Sequence, residues 1–597
     1  MTPLETAVEE WIAADVDPSS VEELRTLLAR SSTDPDALAE LGDRFKAGLQ
    51  FGTAGLRGAM AAGPNRMNRA VVIRAAKGLI DYLSGHVDVP RVVIGNDARH
   101  HSREFALDTA GVVTAAGGQA YLLPDPVPTP VLAYAVRALN ADAGVMVTAS
   151  HNPAADNGYK VYLGGRMVPD NERGVQIVPP HDAQISHMID AAPPANQIPR
   201  SEGWTDVDAP VVLTQSGSLD QPVPPVVLTQ SGSLDQPVSP VILTQSGSPA
   251  PVQGLVHRYL EAISSGPQPG AQIKIVHTAM HGVGSPIALS SLARAGFTDV
   301  VSVGAQRDPD PDFPTVSFPN PEEPGAIDMA IALAKDVNAD VVIANDPDAD
   351  RCAVAVPDPR TGWRMLHGDE LGAVLAEELA GTTGVFTNSV VSSRQLEVIA
   401  SEQGRDYVRT LTGFKWMGRV KGLAYAYEEA IGYCVRPDIV RDKDGLSTAV
   451  LVAQLVSRLA SQGKTIIDLL DDLARRHGLY LTSQLSVRCT DLSEIPQVMK
   501  RLRTHPLKTL VGSDVTQTID LNQGWEGLPP TDGIMMITAK NDRVVVRPSG
   551  TEPKVKCYLE VVRPVEADAS FDDLTEIRAS ARDRLDLIKT DLQKALF

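Results

Sequence analysis

Short apolar runs alternate with amphipathic segments over most of this chain. Residues 144–148 and 340–344 are apolar runs of strand length, rich in β-branched side chains, and each ends in a polar loop. Leucines recur at helical spacing over residues 1–50, and an amphipathic helical pattern runs from Leu574 to Leu592. The pattern predicts N-terminal helices, then α/β units with mainly parallel strands, and a closing helix.

A tandem repeat interrupts the α/β pattern. Val211, Val226 and Val241 occupy equivalent positions, which sets the period at fifteen residues. The repeat is rich in Pro, Ser, Gln and Gly, which predicts a linker or insertion, with a small edge strand as the alternative. The predicted boundaries are residues 1–200 for the first domain, 201–253 for the repeat-containing linker, and 254–356, 357–480 and 481–597 for three further domains.

The composition is that of a globular protein. The 597 residues, of which 43% are hydrophobic, are enough for roughly three to five domains. A net charge of −20 argues against nucleic acid and membrane surfaces as partners. An anionic substrate would therefore need a local basic pocket in an acidic protein.

Cysteine usage and the N-terminus predict a cytoplasmic protein. The four cysteines, Cys352, Cys434, Cys489 and Cys557, match no zinc-binding spacing, which favours free thiols in a reducing compartment. The segment from Met1 to Asp15 carries several acids and lacks the apolar core of a signal peptide. No apolar run reaches membrane-spanning length.

A candidate nucleophile, Ser150, directly follows the strand at 144–148. Pro153 prevents a regular continuation, so Ser150 is predicted to lie on a sharp turn at the carboxyl end of the strand, where open α/β sheets bind ligands. Asn157 and Gly158 predict a second turn before Lys160. A hydroxyl, the His151 imidazole and an ammonium thus lie close together in sequence, although an ordinary polar turn is the alternative.

Two arginines lie in loops of the same predicted domain. Arg57 belongs to the glycine-rich stretch at 51–58, in which the backbone can approach a neighbour closely. Arg99 follows the predicted strand at 91–95, and Ser102 is predicted to cap the next helix. A glycine-rich turn before a helix is the alternative for the first loop.

Three carboxylates, those of Asp346, Asp348 and Asp350, alternate through a short loop after the strand at 340–344. Carboxylates so close together repel one another unless a cation holds them. Hard oxygen ligands with one position left for a phosphate oxygen suit Mg²⁺. The sequence therefore predicts a magnesium loop, with a solvated acidic turn as the alternative.

Three further stretches have the composition of substrate-binding sites. Glu428 and Glu429 could accept hydrogen bonds from sugar hydroxyls, or they could end a helix. The stretch Thr412, Gly413, Phe414, Lys415 and Trp416 suits a wall of a phosphosugar site or core packing. A guanidinium, two hydroxyls and a glycine at Arg547, Ser549, Thr551 and Gly550 suit a phosphate cradle or an ordinary hairpin.

The order of these motifs resembles the α-D-phosphohexomutase superfamily. The similarity includes Phe-Gly-Thr-Ala-Gly-Leu-Arg-Gly at 51–58 and Gly-Phe-Lys-Trp at 413–416, and it covers the chain apart from the repeat. It implies an α/β protein with three mixed-sheet α/β domains and a smaller C-terminal α+β domain around a central cleft. It also implies an intramolecular phosphotransferase with one Mg²⁺ and a sugar bisphosphate as intermediate and activator.

The resemblance implies a role for each candidate residue. Ser150 would carry a phosphoryl group and, together with the three aspartates, would bind the metal. The residues lining the transfer site would be Arg57, Arg99, His151 and Lys160, with Lys160 or His151 assisting proton transfer. Substrate would be bound by Thr412, Gly413, Lys415, Glu428, Glu429, Arg547, Ser549, Gly550 and Thr551.

The expected reaction interconverts the 1-phosphate and 6-phosphate of glucose or mannose. Phosphopentomutase and hexose-bisphosphate synthase are alternatives, because Ala430 and Ile431 replace the serine common in glucose-phosphate enzymes and Tyr433 replaces a frequent histidine. Asn345 and Pro347 also depart from the usual metal loop, but its three carboxylates are retained. A non-catalytic sugar-phosphate-binding protein is the alternative from another class. The expected partners are small sugar phosphates, and the expected state is a monomer or homodimer.

Overall fold

The computed structural model describes residues 2–52, 55–208, 252–488, 494–548 and 554–596. The chain divides into two compact units, Met1–Ala353 with Arg436–Ala453, and Val354–Val435 with Gln454–Phe597. The fifteen-residue repeat lies outside the described residues. Among the helices that are described, none has both the length and the apolar composition needed to cross a membrane.

The first unit begins with three helices, as the leucine spacing predicts. They are α1 (Pro3–Ala14), α2 (Pro18–Ser31) and α3 (Pro35–Phe45). Each starts with proline, and the side chains of Thr2, Asp17 and Asp34 cap the free N–H groups at their N-termini. Apolar residues on facing sides, including Val8, Leu24 and Leu41, form a separate small core.

A mixed sheet forms the next part of the first unit. Its elements are β1 (Leu56–Ala59), α4 (Arg69–Ser84), β2 (Arg91–Asn96), α5 (Ser102–Ala115), β3 (Gln119–Leu122), α6 (Thr129–Ala138), β4 (Ala143–Val147), β5 (Asp156–Leu163), β6 (Val175–Gln176), α7 (His181–Ala191) and β7 (Thr205–Asp206). The strand order is β1-β5-β4-β2-β3-β7. Because β2 and β4 are parallel neighbours, the loops that follow them lie side by side.

Two local predictions in this sheet are wrong. Asn157 and Gly158 form no turn but lie inside β5, which pairs with β1 on one side and β4 on the other. A Cβ at Gly158 would lie 2.6 Å from the carbonyl oxygen of Thr148, so the glycine serves close strand packing. Ser102 does not cap α5, because His101 holds the N-cap position and the Ser102 hydroxyl donates to Asp97.

The first unit continues with a second α/β layer. Its elements are α8 (Leu255–Ser264), β8 (Ile275–Thr278), α9 (Ser285–Arg294), β9 (Val300–Ser302), α10 (Asp328–Val337) and β10 (Val341–Ala344). Strand β8 is parallel to both β9 and β10. Apolar residues of α6, α8 and α9, among them Leu132, Tyr259 and Ile287, share one core. This shared core fixes the loop after β4 against the loop after β10.

The second unit contains two further sheets. Its elements are β11 (Ala353–Asp358), β12 (Gly362–Met365), α11 (Gly368–Glu378), β13 (Val385–Ser389), α12 (Gln395–Glu402), β14 (Tyr407–Thr410), α13 (Phe414–Met417), β15 (Leu423–Glu428), β16 (Gly432–Cys434), α14 (Gly445–Ser461, which begins in the first unit), α15 (Ile466–His477), β17 (Leu479–Arg488), α16 (Glu494–Thr504), β18 (Thr509–Leu510), β19 (Ser513–Asp520), β20 (Ile534–Thr538), β21 (Arg543–Pro548), β22 (Lys554–Arg563) and α17 (Phe571–Leu596).

The two sheets of the second unit differ in type. The first has the order β14-β13-β15-β16, with β13 parallel to β14 and β15 and with β16 antiparallel. The second is antiparallel throughout, in the order β17-β22-β21-β20-β19-β18. Leu574, Leu585 and Ile588 of α17 are buried in its core, which confirms the predicted amphipathic helix. The expected α/β domains and C-terminal α+β domain are thus present.

Candidate active site

Ser150 lies in a tight turn directly after a buried strand, as the sequence predicts. Strand β4 ends at Val147, and Ser150 adopts the left-handed backbone conformation, with a φ of +53°. This conformation is uncommon for a residue with a side chain and occurs often at functional turns. The N–H of Ser150 donates to Thr148 Oγ1 over 2.9 Å, and Ser150 is only 3% exposed. The position of the hydroxyl is therefore fixed by the surrounding protein.

The hydroxyl of Ser150 contacts the predicted metal loop. Its Oγ donates to Asp346 Oδ2 over 2.9 Å, although the two residues are 196 positions apart in sequence. Nδ1 of His151 lies 3.2 Å from Oγ of Ser150. The predicted nucleophile and a predicted metal ligand are therefore hydrogen-bonded neighbours.

The three aspartates converge after β10. Asp346, Asp348 and Asp350 are buried, and one carboxylate oxygen of each lies within 4.8 Å of the others. Backbone and amide contacts hold the loop in shape: Asn345 Nδ2 donates to the carbonyl of Arg351 over 2.8 Å. The sequence-predicted acidic loop is thus a buried cluster rather than a solvated turn.

Two lysines lie against the aspartate cluster. Nζ of Lys160 donates to Asp348 Oδ2 over 2.7 Å and to Asp350 Oδ2 over 2.9 Å, and Nζ of Lys443 lies 3.2 Å from Asp350 Oδ2. Burial disfavours the Lys160 ammonium, but the charges of Asp348 and Asp350 outweigh burial and raise its pKa. Burial likewise opposes ionisation of Asp350, yet Lys160 and Lys443 keep the pKa of that carboxyl well below its usual range.

The donor set fits a hard divalent cation. Asp348 Oδ1 and Asp350 Oδ1 are buried and have no hydrogen-bond partner within the described ranges. A buried carboxylate oxygen without a hydrogen-bond partner destabilises the folded protein unless a cation binds it. Carboxylate oxygens beside a serine oxygen are ligands of the kind that Mg²⁺ prefers, together with a phosphate oxygen.

The surroundings of the imidazole beside Ser150 favour its neutral form. Burial, and then the positive charges of Arg351 and Arg57, lower the pKa of His151 well below its ordinary value. Arg57 lies on β1, and its NH1 donates to Asn152 Oδ1 over 3.2 Å. A neutral imidazole at hydrogen-bonding distance from a hydroxyl can accept the hydroxyl proton and later return it.

Arg99 contacts the backbone of the serine loop. Its NH2 donates to the carbonyl oxygens of Ser150 and Asn152, over 2.6 Å in each case. Thus Ser150, His151, Lys160, Arg57, Arg99 and the three aspartates, all singled out from the sequence, come together in the first unit.

Sequence reasoning missed two residues of this cluster. Thr129, the first residue of α6, donates through Oγ1 to Asp348 Oδ2 over 2.7 Å. Lys443 approaches Asp350 from the segment before α14. A lysine between Asp442 and Asp444, directly before a long apolar helix, was a signal that could have identified Lys443, whereas Thr129 lies in a proline-rich stretch with no such signal.

The predicted sugar-binding carboxylates lie in the second unit on a β-hairpin, not at a helix end. Glu428 ends β15, and β16 begins at Gly432. Glu429 Oε2 accepts hydrogen bonds from Ser392 Oγ over 2.8 Å and from Ser389 Oγ over 3.3 Å. These contacts hold one carboxylate oxygen in place and orient the rest of the side chain.

Three predicted substrate-binding segments meet in the second unit. The N–H of Gly413 donates to Glu428 Oε1 over 2.7 Å, and NH1 of Arg547 donates to Thr412 Oγ1. Lys415 is half-buried on the short helix α13. The remaining residues predicted for the phosphate cradle, Ser549, Gly550 and Thr551, lie outside the described residues.

Tyr433, which departs from the family pattern, packs in the core of its domain. It is fully buried, and its ring centroid lies 6.3 Å from that of Tyr427 in a stacked arrangement. Its hydroxyl donates to the carbonyl of Gly368 over 3.0 Å. Tyr433 therefore supports the hairpin that carries Glu428 and Glu429.

Gly368 allows this hairpin to pack against α11. A Cβ at Gly368 would lie 1.9 Å from the carbonyl oxygen of Glu429, so Gly368→Ala must displace the hairpin. We expect kcat/KM of any reaction that depends on Glu428 and Glu429 to fall roughly 10²-fold, the effect of a misplacement near 1 Å. Gly381→Ala is the matched control, because nothing lies within 4 Å of its added Cβ. Equal activity of the two variants would contradict this assignment.

Four sequence models of one family match the chain in order. They are described as Phosphoglucomutase/phosphomannomutase, with alpha/beta/alpha domain I at residues 48–193, domain II at 257–361, domain III at 367–477 and the C-terminal domain at 486–577. The chain belongs to the α-D-phosphohexomutase superfamily. The interval between the first two matches contains the fifteen-residue repeat.

Individual phosphohexomutases match over most of their length. A protein of Haemophilus influenzae described as "Probable phosphomannomutase" is 42% identical over 85% of this chain and 96% of its own length. The mouse protein named phosphopentomutase is 33% identical over 94% of this chain and 90% of its own. A solved phosphoglucomutase/phosphomannomutase family protein of Burkholderia thailandensis has the same fold, with a TM-score of 0.61, 20% identity and coverage of 90% of this chain and 97% of its own.

Membership settles the type of enzyme. This member of the superfamily is an intramolecular phosphotransferase, as its motifs predict. The superfamily is Mg²⁺-dependent, and the buried aspartate cluster could bind the metal.

Proposed function

We propose that this enzyme interconverts the 1-phosphate and 6-phosphate forms of an aldohexose, mannose or glucose, through a phosphorylated Ser150 and a sugar bisphosphate. The observation that carries the proposal is the hydrogen bond between Ser150 Oγ and Asp346 at the edge of the aspartate cluster. The 42% identity to a relative named phosphomannomutase supports a hexose as the sugar. We assign the protein to the cytoplasm on its cysteine usage.

The proposed cycle converts the substrate into its isomer and leaves the enzyme with one phosphoryl group, as at the start. A sugar hydroxyl attacks the phosphorus on Ser150, so that a bond to the sugar oxygen forms while the bond to Oγ breaks. The hydroxyl proton leaves to a nearby base, and Oγ is reprotonated. After the bisphosphate reorients, Oγ loses its proton and attacks the other phosphorus, while the bond from that phosphorus to its sugar oxygen breaks. The sugar oxygen takes up a proton, and the isomeric monophosphate is released with Ser150 phosphorylated again. The cycle consumes neither water nor a nucleotide.

The first unit supplies the groups for this transfer. We assign proton transfer to His151 Nδ1 or Lys160 Nζ, and we assign to Arg57 and Lys160 the positive charge that meets the phosphoryl oxygens. Asp346, Asp348 and Asp350, with an oxygen on Ser150, would hold Mg²⁺. The metal, when bound, would supply charge that stabilises the transferring group.

The second unit supplies the groups that bind the sugar phosphate. We assign Glu428 and Glu429 to the sugar hydroxyls, and Arg547 with Ser549, Gly550 and Thr551 to the phosphate that does not react. Thr412, Gly413 and Lys415 complete this site. The Gly413 to Glu428 and Arg547 to Thr412 hydrogen bonds support the grouping, because they bring three of the segments together.

Phosphopentomutase is the second candidate. The mouse relative of that name is 33% identical over 94% of this chain. The hairpin of β15 and β16 also carries Ala430 and Ile431 in place of the serine common in glucose-phosphate enzymes. This candidate keeps Ser150, the metal ligands and the cycle unchanged. It changes only the sugar bound by the second unit, which would be a pentose phosphate instead of a hexose phosphate.

Parallel assays separate the two candidates. We expect kcat/KM for mannose 1-phosphate or glucose 1-phosphate to exceed that for ribose 1-phosphate by at least about 10-fold, the scale of one methylene-sized difference. The assay includes the matching bisphosphate as activator. A reversed preference would assign the enzyme to pentoses, and accumulation of hexose bisphosphate without isomerisation would assign it as a synthase.

A further inference from the structure

The guanidinium of Arg99 is surrounded by protein oxygens. NH2 donates to the carbonyls of Ser150 and Asn152 over 2.6 Å each, and NH1 donates to those of Pro153 over 2.8 Å and Asp156 over 3.1 Å. The two terminal nitrogens carry four N–H groups, so each of these has a backbone acceptor. None of the four remains for a phosphate oxygen.

The rest of the Arg99 side chain is also enclosed. Nε lies 3.3 Å from Asp97 Oδ2, and the guanidinium carbon lies 5.0 Å from the centre of the Phe313 ring. Arg99 is 4% exposed, and so is Phe313. The flat guanidinium is thus fixed by an ion pair at Nε and by an aromatic ring.

The four acceptors belong to one loop. They lie after β4, which ends at Val147, and run from the left-handed residue Ser150 to the first residue of β5, Asp156. Carbonyl oxygens that converge on one point repel one another unless a donor lies between them. Only a guanidinium presents four N–H groups in one plane to such a set, whereas an ammonium has three.

We propose that Arg99 is a positioning residue that folds the loop presenting Ser150, and that Phe313 holds its guanidinium in place. The proposal rests on the proposed role of Ser150 as phosphoryl carrier. It gives Arg99 a different task from Arg57, whose NH1 contacts a side chain of the loop, Asn152, rather than its carbonyls. Arg99 therefore acts on the reaction through the position of Oγ and not through contact with substrate.

The test is Arg99→Lys, which keeps the charge and removes the planar donor set. We expect kcat and the rate of phosphorylation by sugar bisphosphate to fall roughly 10²-fold, as for a displaced reacting group. KM for the sugar monophosphate should change less than about threefold. Amide hydrogen exchange over residues 148–156 should become faster. Arg103→Lys, a nearby partly exposed arginine on α5, is the control and should match the wild type in every assay.

A direct phosphate contact would give a different pattern. Exchange over residues 148–156 would then be unchanged although kcat or KM worsened, and this result would overturn the proposal. If Arg99→Lys fails to fold, Phe313→Leu takes its place: it keeps an apolar side chain and should speed exchange over 148–156, and unchanged exchange would reject the proposal. The exchange measurement does not depend on turnover. Unchanged exchange would therefore reject the role of Arg99 while phosphorylation of Ser150 is retained, and an unphosphorylated Ser150 would reject the proposed function whatever the exchange result.

Discussion

Replacing Ser150 with alanine should lower kcat by at least about 10⁴-fold, the scale seen when a nucleophile that works as part of a unit is removed. The substitution deletes the oxygen that lies 2.9 Å from Asp346 and 3.2 Å from His151. No other described hydroxyl donates to Asp346, so the phosphoryl group has no substitute acceptor beside it. The measurement is mutase turnover with the bisphosphate activator present.

Ser264→Ala is the matched control for this experiment. Its hydroxyl donates to the carbonyl of Leu260 on α8, and it makes no hydrogen bond to the aspartate cluster among the described residues. The control should retain wild-type kcat. Ser150→Ala with activity within tenfold of the wild type would remove the serine from the mechanism.

Replacing Asp348 with asparagine should weaken Mg²⁺ binding more than about 100-fold. This loss is larger than that expected for a residue that binds a metal-coordinating side chain without coordinating the metal itself. Asp348 Oδ2 accepts hydrogen bonds from Thr129 and Lys160, and Oδ1 is buried with no partner among the described residues. An amide of the same shape removes one negative charge and leaves Lys160 with one carboxylate. Titration calorimetry with Mg²⁺ measures the affinity directly, without reference to activity.

Asp336→Asn is the control for the metal prediction. It is an exposed carboxylate on α10 of the same domain. We expect it to bind Mg²⁺ as the wild type does and to keep full activity. Similar Mg²⁺ affinities of Asp348→Asn and the wild type would show that the metal, if required, binds elsewhere.

Much of the transfer site could be predicted from short stretches of sequence. The strand before Ser150 and the acidic loop after β10 are local patterns, and each is reproduced in the structure. Their proximity follows from topology: both loops leave the carboxyl ends of strands in parallel or mixed sheets, and the core shared by α6, α8 and α9 joins the two layers. The N-terminal helices and α17 follow equally from leucine spacing.

The errors came from long-range pairing that local signals cannot show. Asn157 and Gly158 have the composition of a turn, yet β1 and β4 flank them and extend them into β5. Ser102 is of a residue type that often caps helices, yet its hydroxyl donates a hydrogen bond to the buried Asp97. Lys443 reaches Asp350 from a segment of the predicted third domain that packs with the first unit.

The roles of individual residues stay predictions for the candidate sugar-binding segments of the second unit. The structure brings Thr412, Gly413, Glu428 and Arg547 together, but a hydrogen bond between two protein groups does not identify the sugar. Ala430 and Ile431 are compatible with either proposed substrate class. The choice between hexose and pentose is therefore a matter for kcat/KM rather than for geometry.

Phosphorylation of Ser150 itself is the most direct test of the central claim. The enzyme is incubated with radiolabelled hexose 1,6-bisphosphate and Mg²⁺, and the labelled peptide is mapped by mass spectrometry. We expect one phosphoryl group per chain, a gain of about 80 Da, located at Ser150, and we expect its label to pass to the sugar when unlabelled hexose monophosphate is added. Label on any other residue, or a Ser150 that stays unmodified while the enzyme turns over, would contradict it.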